Sequence, residues 1–549
     1  MARATVGDVA GGFRRRLERR VNFMAKKKTA KGGTIHIDPV TRIEGHLKLE
    51  ALVDGGEVKE ASCSGTLFRG FENILVGRHP LDAVRLTQRV CGVCPTAHAT
   101  ASAFALDEAL GVADRIPDNA RLVRNLILGS NFLQSHILHF FALTALDYAD
   151  VAALADYRGN ETELKSVRAF IDRKALSPFF PRYEGGYRCD KQTNVDLVRA
   201  YLQALRLRRV CHEMLSVFGG KMPHNVAIVP GGVTNPVTAD KVATFIGKLQ
   251  AIQAFIEDVY IPTVFTVARA YGDYFGIGAG CGRFLSYGVF NLDAGSTDPL
   301  KRKRLLPAGF VEMGGKPVAV STAKIREEVA HSRYTAECAA PPTEGRTIPE
   351  PEKEGAYSWI KAPRYDGAPA EVGPLARALV AYGSGHPAVK REVDAALKAA
   401  GVGADALPSV LGRHLARALE TRIVASAMMG WLGELKPGEP VAVDLKIPAE
   451  GKGAGLTGAP RGALGHWIEI KDKVVGRYQM VVPTTWNGSP RDAKGTPGPI
   501  EQALIGTKVK DRDNPFEIVR IIRSFDPCLA CSVHVMTASG EGRGAYRIV

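Results

Sequence analysis

Nine cysteines in 549 residues are too few and too scattered for a disulfide scaffold, and their odd number precludes complete pairing. No run of 18 apolar residues occurs, so no membrane span is expected. The nearest approach, Phe140 to Ala155, is interrupted by Asp147 and Asp150, with Asp156 just beyond. Internal repeats and low-complexity tracts are absent, as is any basic stripe interleaved with aromatic residues, which argues against nucleic-acid binding. Arg19-Arg20 is followed by Lys26-Lys27-Lys28 rather than by an apolar stretch, so the N-terminal tail does not read as a secretion signal.

The net charge of +15 looks like a signal for an anionic partner, but its placement weakens that reading. Ten Lys and Arg against two acids put +8 of it in residues 1–33, which read as a disordered basic tail, with Met24 a plausible alternative start. With 45% hydrophobic and 23% charged residues the remainder is ordinary globular protein. At about 150 residues per domain the length alone suggests three to four domains.

Thr34–Ile37, His46–Val53 and Glu57–Ser64 alternate apolar and polar residues around the turn Asp54-Gly55-Gly56, which predicts a small antiparallel sheet. From Asp82 the period becomes helical. Asn119 is a candidate cap for a helix through Leu122, Leu126, Phe132 and Leu133. Asn194 is a candidate cap for one carrying Leu197, Tyr201, Leu205, Met214 and Leu215. Thr238 precedes a third, with Val242, Phe245, Leu249, Ile252 and Ile256, disturbed at Pro262. Leu411, Leu415, Leu419 and Ile423 mark a fourth. Residues 337–372, the Gly-rich 448–465 and the Pro-rich 483–500 read as loops. The expected class is mostly α with minor β (α+β), a large multi-helix bundle with small antiparallel sheets.

Four cysteines form two C-x-x-C pairs, Cys91/Cys94 and Cys528/Cys531. Each pair puts two thiolates within chelating reach of one ion, and two pairs make a four-thiolate site for a soft or borderline metal. Spacing alone leaves structural zinc, another metal and a redox dithiol open. More than 400 residues separate the pairs, unlike most zinc ribbons. If they meet, residues 34–534 close on themselves as one domain, against the length prior.

The strings around the pairs are more specific. RVCGVCPTAH (Arg89–His98) and DPCLACSVH (Asp526–His534) resemble the two cysteine motifs of nickel–iron hydrogenase large subunits. DPVTRIEGHL (Asp38–Leu47), FRGFENILVGR (Phe68–Arg78), VPGGVT (Val229–Thr234), AYSWIKAPRYDG (Ala356–Gly367), GAPRGALGHW (Gly458–Trp467) and YQMVVPTTWN (Tyr478–Asn487) stand in that family's order. The resemblance covers nearly the whole chain and implies reversible oxidation of H2 at a Ni–Fe centre whose iron carries CO and cyanide. It implies Cys91 and Cys528 as terminal nickel ligands and Cys94 and Cys531 as bridges to iron. Glu44 would take the proton from the terminal cysteine, and Arg461, paired with Asp526, would lie over the open metal position. Pro460 and Thr484 would line the diatomic-ligand pocket, and His98 would hydrogen-bond a bridging thiolate. Glu72, the Met480 carbonyl and His534 would hold magnesium or iron. Where many family members have His-Asp-His this chain reads Gln134-Ser135-His136, one carboxylate fewer near Arg461. Cys528 is a cysteine, so this is not a selenocysteine variant.

Residues 535–549 match the extension that a maturation endopeptidase removes after the final His in this family. The five remaining cysteines are scattered, so an iron–sulfur small subunit is the implied partner, in a heterodimer or dimer of heterodimers, with a cytochrome or quinone-linked membrane subunit beyond it. The implied location is membrane-associated, facing the periplasm through the partner's twin-arginine signal, with the cytoplasm as the alternative. Two rival readings remain: the complex I subunit that shares this fold but lacks the four cysteines, and a structural zinc protein.

Overall fold

The structure is a computed structural model that describes residues 32–173, 186–293, 296 and 298–532, with the side chains of Cys531 and Ser532 excluded. The basic tail, His534 and the C-terminal extension lie outside the described residues.

The alternating N-terminal segments form a three-stranded antiparallel sheet, β1 (Gly32–Ile37), β2 (Leu47–Asp54) and β3 (Glu57–Gly65), with Gly32 opposite Asp54 and Leu47 opposite Gly65. Leu47, Leu49, Ala51 and Val53 share the buried face of β2, as a period of two requires. The helices that position the site follow: α1 (Phe71–Leu75), α2 (Pro95–Ala109), α3 (Asp118–Ile137), α4 (Lys191–Gly219), α5 (Ala239–Phe255) and α6 (Ile261–Ala270). An antiparallel pair, β4 (Arg283–Asn291) and β5 (Arg304–Glu312), precedes α7 (Pro374–Gly383) and α8 (Val410–Glu434). A second three-stranded sheet, β6 (Glu450–Ala459), β7 (Gly462–Lys471) and β8 (Val474–Val481), leads to α9 (Pro483–Asn487), α10 (Phe516–Ser524) and α11 (Leu529–Ser532). The main apolar core runs from Ile35 to Leu529, so both ends of the described chain share it.

Both expected asparagine caps are corrected. α3 begins at Asp118 behind Pro117, and the Asn119 amide donates to the Lys436 carbonyl at 2.7 Å. α4 is capped by Asp190, whose carboxylate accepts from Thr193 N at 2.7 Å, while Asn194 accepts from Asp150 N at 2.8 Å. Tertiary partners recruit both asparagines away from the helix ends. Thr238 does precede α5, and the chain passes through a π turn, Ile256–Tyr260, into α6, with Pro262 in its first turn. The added residue accommodates the proline, which cannot donate a helical hydrogen bond. The stretches Asp118–Asp147 and Ala239–Ala270 are long and apolar enough to cross a membrane, contrary to the expectation from uninterrupted runs. The most apolar window of the first is 83% buried, as in a core helix, and that of the second 50%.

The Gly-rich stretch 448–465 is the largest departure from the expected loops: most of it is the β6–β7 hairpin. A Cβ at Gly453 would lie 2.0 Å from the Ala105 carbonyl oxygen, and one at Gly455 1.8 Å from that of Ala101. These glycines let the strand backbone lie directly on the Ala-rich α2. Within 483–500, α9 is likewise helical.

Candidate metal centre

Gln88–Val90 make one 3-10 turn, after which Cys91 is extended, and Pro95 in the first turn of α2 starts that helix immediately after Cys94. Cys94 therefore sits at a helix N-terminus, where the local field favours a thiolate. The second segment is brought to it by Glu44, which forms a parallel bridge to Cys528: Glu44 N donates to Pro527 O at 3.3 Å and Leu529 N to Glu44 O at 2.7 Å. Gly45 makes this approach possible, since at φ 81° its Cβ would lie 2.5 Å from Ala530 N. Arg69 ties the two segments together, donating to the carbonyls of Val90 at 2.5 Å and of Ala530.

Cys91 Sγ and Cys528 Sγ are 3.3 Å apart, and these two with Cys94 Sγ lie within 4.8 Å of one another, all buried. A disulfide needs about 2.05 Å; 3.3 Å is the spacing of two donors on one ion. Val93 N and Cys94 N donate to Cys91 Sγ at 3.2 and 3.3 Å. Cys531 lies on α11, one helical turn after Cys528.

The Cys528 thiol donates to Glu44 Oε2 at 3.1 Å, and Ala530 N donates to the same oxygen at 3.1 Å. Burial, then the negative charge of Cys91, pushes the Glu44 carboxyl up to about 7. Arg461 occupies the two-residue turn between β6 and β7. Its Nε donates to Asp526 O at 3.0 Å, and its Nη2 pairs with Asp526 Oδ1 at 2.9 Å. Burial opposes the Arg461 charge, but Asp526 and the thiolates of Cys528, Cys94 and Cys91 outweigh it and raise its pKa. Arg461 Nη1 is buried without a hydrogen-bond partner among the described residues. Thr484 Oγ1 accepts from Cys528 N at 2.9 Å, and the Pro460 carbonyl accepts from Arg377 at 3.0 Å.

His98 is buried and meets His466 at 3.1 Å, with Tyr478 OH 2.8 Å beyond; burial holds His98 neutral, down at about 4. Glu72 and Met480 come together, Met480 N donating to Glu72 Oε1 at 2.7 Å and the Thr347 hydroxyl to Oε2. Ser135 is buried, and its hydroxyl has no partner among the described residues.

Sequence reasoning missed the support around these groups. Arg377 is locked bidentately to Glu420 at 2.7 and 2.6 Å, His136 meets the same carboxylate at 2.9 Å, and Arg377 also donates to Ala459 O at 2.9 Å. Although burial works the other way, Arg377 holds the Glu420 carboxyl down at about 2. The turn carrying Arg461 is thus fixed from behind by a buried ion pair. Arg413, Arg417 and Glu420 lie on the face of α8 opposite Leu411, Leu415 and Leu419, which by sequence alone reads as a solvated polar face; the structure buries it, and charges in a buried helix need partners. Asn131 and Gln134 both donate to the Val93 carbonyl, at 3.1 and 2.7 Å.

The donor set fits a soft-metal centre: clustered, buried thiols too far apart for a disulfide, a helix N-terminus behind one of them, and an arginine with an unused donor beside them. The family described as nickel-dependent hydrogenase matches residues 69–534, and one described as HoxL-like matches residues 34–64. The periplasmic [NiFeSe] hydrogenase large subunit of Desulfomicrobium baculatum is 43% identical over 527 residues, covering 92% of this chain and 96% of that protein. The quinone-reactive Ni/Fe-hydrogenase large chain of Wolinella succinogenes is 36% identical, covering 94% and 98%. The solved structure of the reduced Ni-Fe-Se hydrogenase from D. vulgaris Hildenborough superposes with a TM-score of 0.82 at 43% identity, covering 92% of this chain and 100% of that one.

Proposed function

The chain belongs to the nickel-dependent hydrogenase family, and from that premise we propose that it is the catalytic large subunit, cleaving H2 heterolytically and passing electrons to an iron–sulfur small subunit. The observation that carries this reading is the meeting of Cys91, Cys94 and Cys528 with Glu44 and Arg461 in one buried site. Cys91 and Cys528 would be terminal on nickel, and Cys94 and Cys531 would bridge to an iron bearing CO and cyanide. Such a centre supplies hydride affinity that no side chain has.

The protein's own residues do the rest. The Cys528 sulfur and Glu44 Oε2 are already hydrogen-bonded, so a proton leaving the centre has a carboxyl one bond away whose two states are close in energy at neutral pH. Asp526 holds the Arg461 guanidinium through Nε and Nη2, leaving Nη1 to hydrogen-bond an acceptor at the centre. Thr484 orients the Cys528 backbone, and the Arg377–Glu420 pair fixes the turn of Pro460 and Arg461. His98, on α2 and held through Nδ1 by His466, would present its other ring nitrogen to a bridging thiolate.

Glu72, the Met480 carbonyl and His534 would hold magnesium or iron, the carboxylate and the carbonyl being hard oxygen donors that suit the former. Residues 34–534 would form one domain, and 535–549 would be removed by an endopeptidase. One relative is named as periplasmic and one as quinone-reactive, which supports a periplasm-facing complex with a quinone-linked acceptor; membrane association through a quinone-linked or cytochrome subunit, and export through the partner's twin-arginine signal, complete the proposal.

Elemental analysis with infrared spectroscopy tests the reading. Wild type should contain nickel and iron and show CO and cyanide stretching bands, and Cys94→Ser and Cys531→Ser should lose both. Zinc in place of nickel, or unchanged bands in either variant, would overturn it.

A further inference from the structure

Cys91 receives two backbone hydrogen bonds that the cysteine motif by itself does not specify in strength. One comes from Cys94 N at 3.3 Å, and that N–H belongs to the same peptide group as the Val93 carbonyl. The Val93 carbonyl, on the far side of that peptide, accepts from two buried side chains of α3, Gln134 Nε2 at 2.7 Å and Asn131 Nδ2 at 3.1 Å. Gln134 and Asn131 are both fully buried, and Gln134 is itself oriented from α4 by His212, whose Nε2 lies 3.3 Å from Gln134 Oε1. A carbonyl oxygen has two lone pairs, and here both are taken by buried side-chain amides, so the peptide is polarised as far as hydrogen bonding to its oxygen allows.

Hydrogen bonds accepted by a carbonyl polarise its peptide group and make the N–H at the other end a stronger donor. Hydrogen bonds to a metal-bound thiolate draw electron density from sulfur and raise the potential of the centre. We infer that Gln134 and Asn131 are positioning residues that act through the Val93–Cys94 peptide on the Cys91 sulfur, setting its donor strength towards the metal. This rests on the assignment of Cys91 to the centre. The two amides also hold the loop between the cysteines at a fixed height over α3, so that Val93 N, at 3.2 Å, points at the same sulfur.

The test uses the complete, matured enzyme with its partner subunit. Gln134→Leu removes the 2.7 Å donor at similar volume, and Gln134→His restores a donor; Ser130→Ala is the packing control, since the Ser130 hydroxyl donates to the Leu126 carbonyl one turn back in α3. In Gln134→Leu with wild-type nickel and iron content, the CO and cyanide bands should move to lower frequency and the nickel midpoint potential should fall. Gln134→His should return both towards wild type, and Ser130→Ala should leave both in place. If Gln134→Leu fails to take up metal, Asn131→Ala, which keeps the stronger donor, carries the test with a smaller shift in the same direction. Band positions and potential unchanged in fully loaded variants, or shifted equally in Ser130→Ala, overturn the inference while leaving the centre intact. A wild-type enzyme without CO and cyanide bands would instead overturn the assignment of the centre.

Discussion

Gly455 is a position where one methyl group should disturb the fold and the site together. Its added Cβ would sit 1.8 Å from the Ala101 carbonyl oxygen and 2.7 Å from Ala105 N, all of it backbone of α2. Ordinary contact begins at about 3.4 Å, so β6 or α2 must retreat by about 1.6 Å. No flexible side chain can yield in their place. Overpacking of this kind costs about 1–3 kcal/mol where neighbours can adjust, and Gly455→Ala should fall at or beyond the top of that range. The strand that would move carries Arg461 in its turn, and α2 begins beside Cys94. In a close-packed interior the displacement is transmitted rather than absorbed. A misplacement of about 1 Å at a reacting centre can cost roughly 100-fold in rate. Gly430→Ala is the matched control, since Gly430 is exposed on α8 with open space around its Cβ and should gain about 0.5–1 kcal/mol. Thermal unfolding followed alongside dye-linked H2 oxidation decides it. A Gly455→Ala enzyme that melts and turns over like wild type would show that strand and helix have slack, and would refute the reasoning.

Glu44→Gln keeps the size of the side chain but cannot take a proton from Cys528, so H2 oxidation and H2/D2O exchange should drop by about 100-fold or more. Para- to ortho-H2 conversion, which needs no proton exit, should survive; normal D2O exchange would remove Glu44 from the proton route. The mature chain should end at His534, and intact-mass measurement on active enzyme that still carries Val549 would count against the processing proposal.

The sequence alone was enough for the family, the fold class and most of the elements. The two C-x-x-C pairs named a thiolate site, and their flanking strings led to the family to which the chain belongs. Period-two alternation in residues 34–64 was readable because β2 buries one face, and the leucines of α8 at i, i+4 spacing marked a helix, although the structure buries that helix on nearly every side. The Gly-rich segment misled because glycine signals a loop locally, while its use here is to let β6 touch the backbone of α2, a partner more than 300 residues away. Asn119 and Asn194 misled for a related reason: distant carbonyls and amides outbid the helix ends for their side chains. The Arg377–Glu420 pair behind Arg461 and the two amides on the Val93 carbonyl join segments far apart in the chain. Such groups carry no local spacing that could reveal them. The residues proposed for the chemistry lie in short strings, because donors to one ion are most simply brought together by neighbouring positions; the residues that aim them are chosen by the fold, because a buried polar atom takes whatever partner the packing brings within reach.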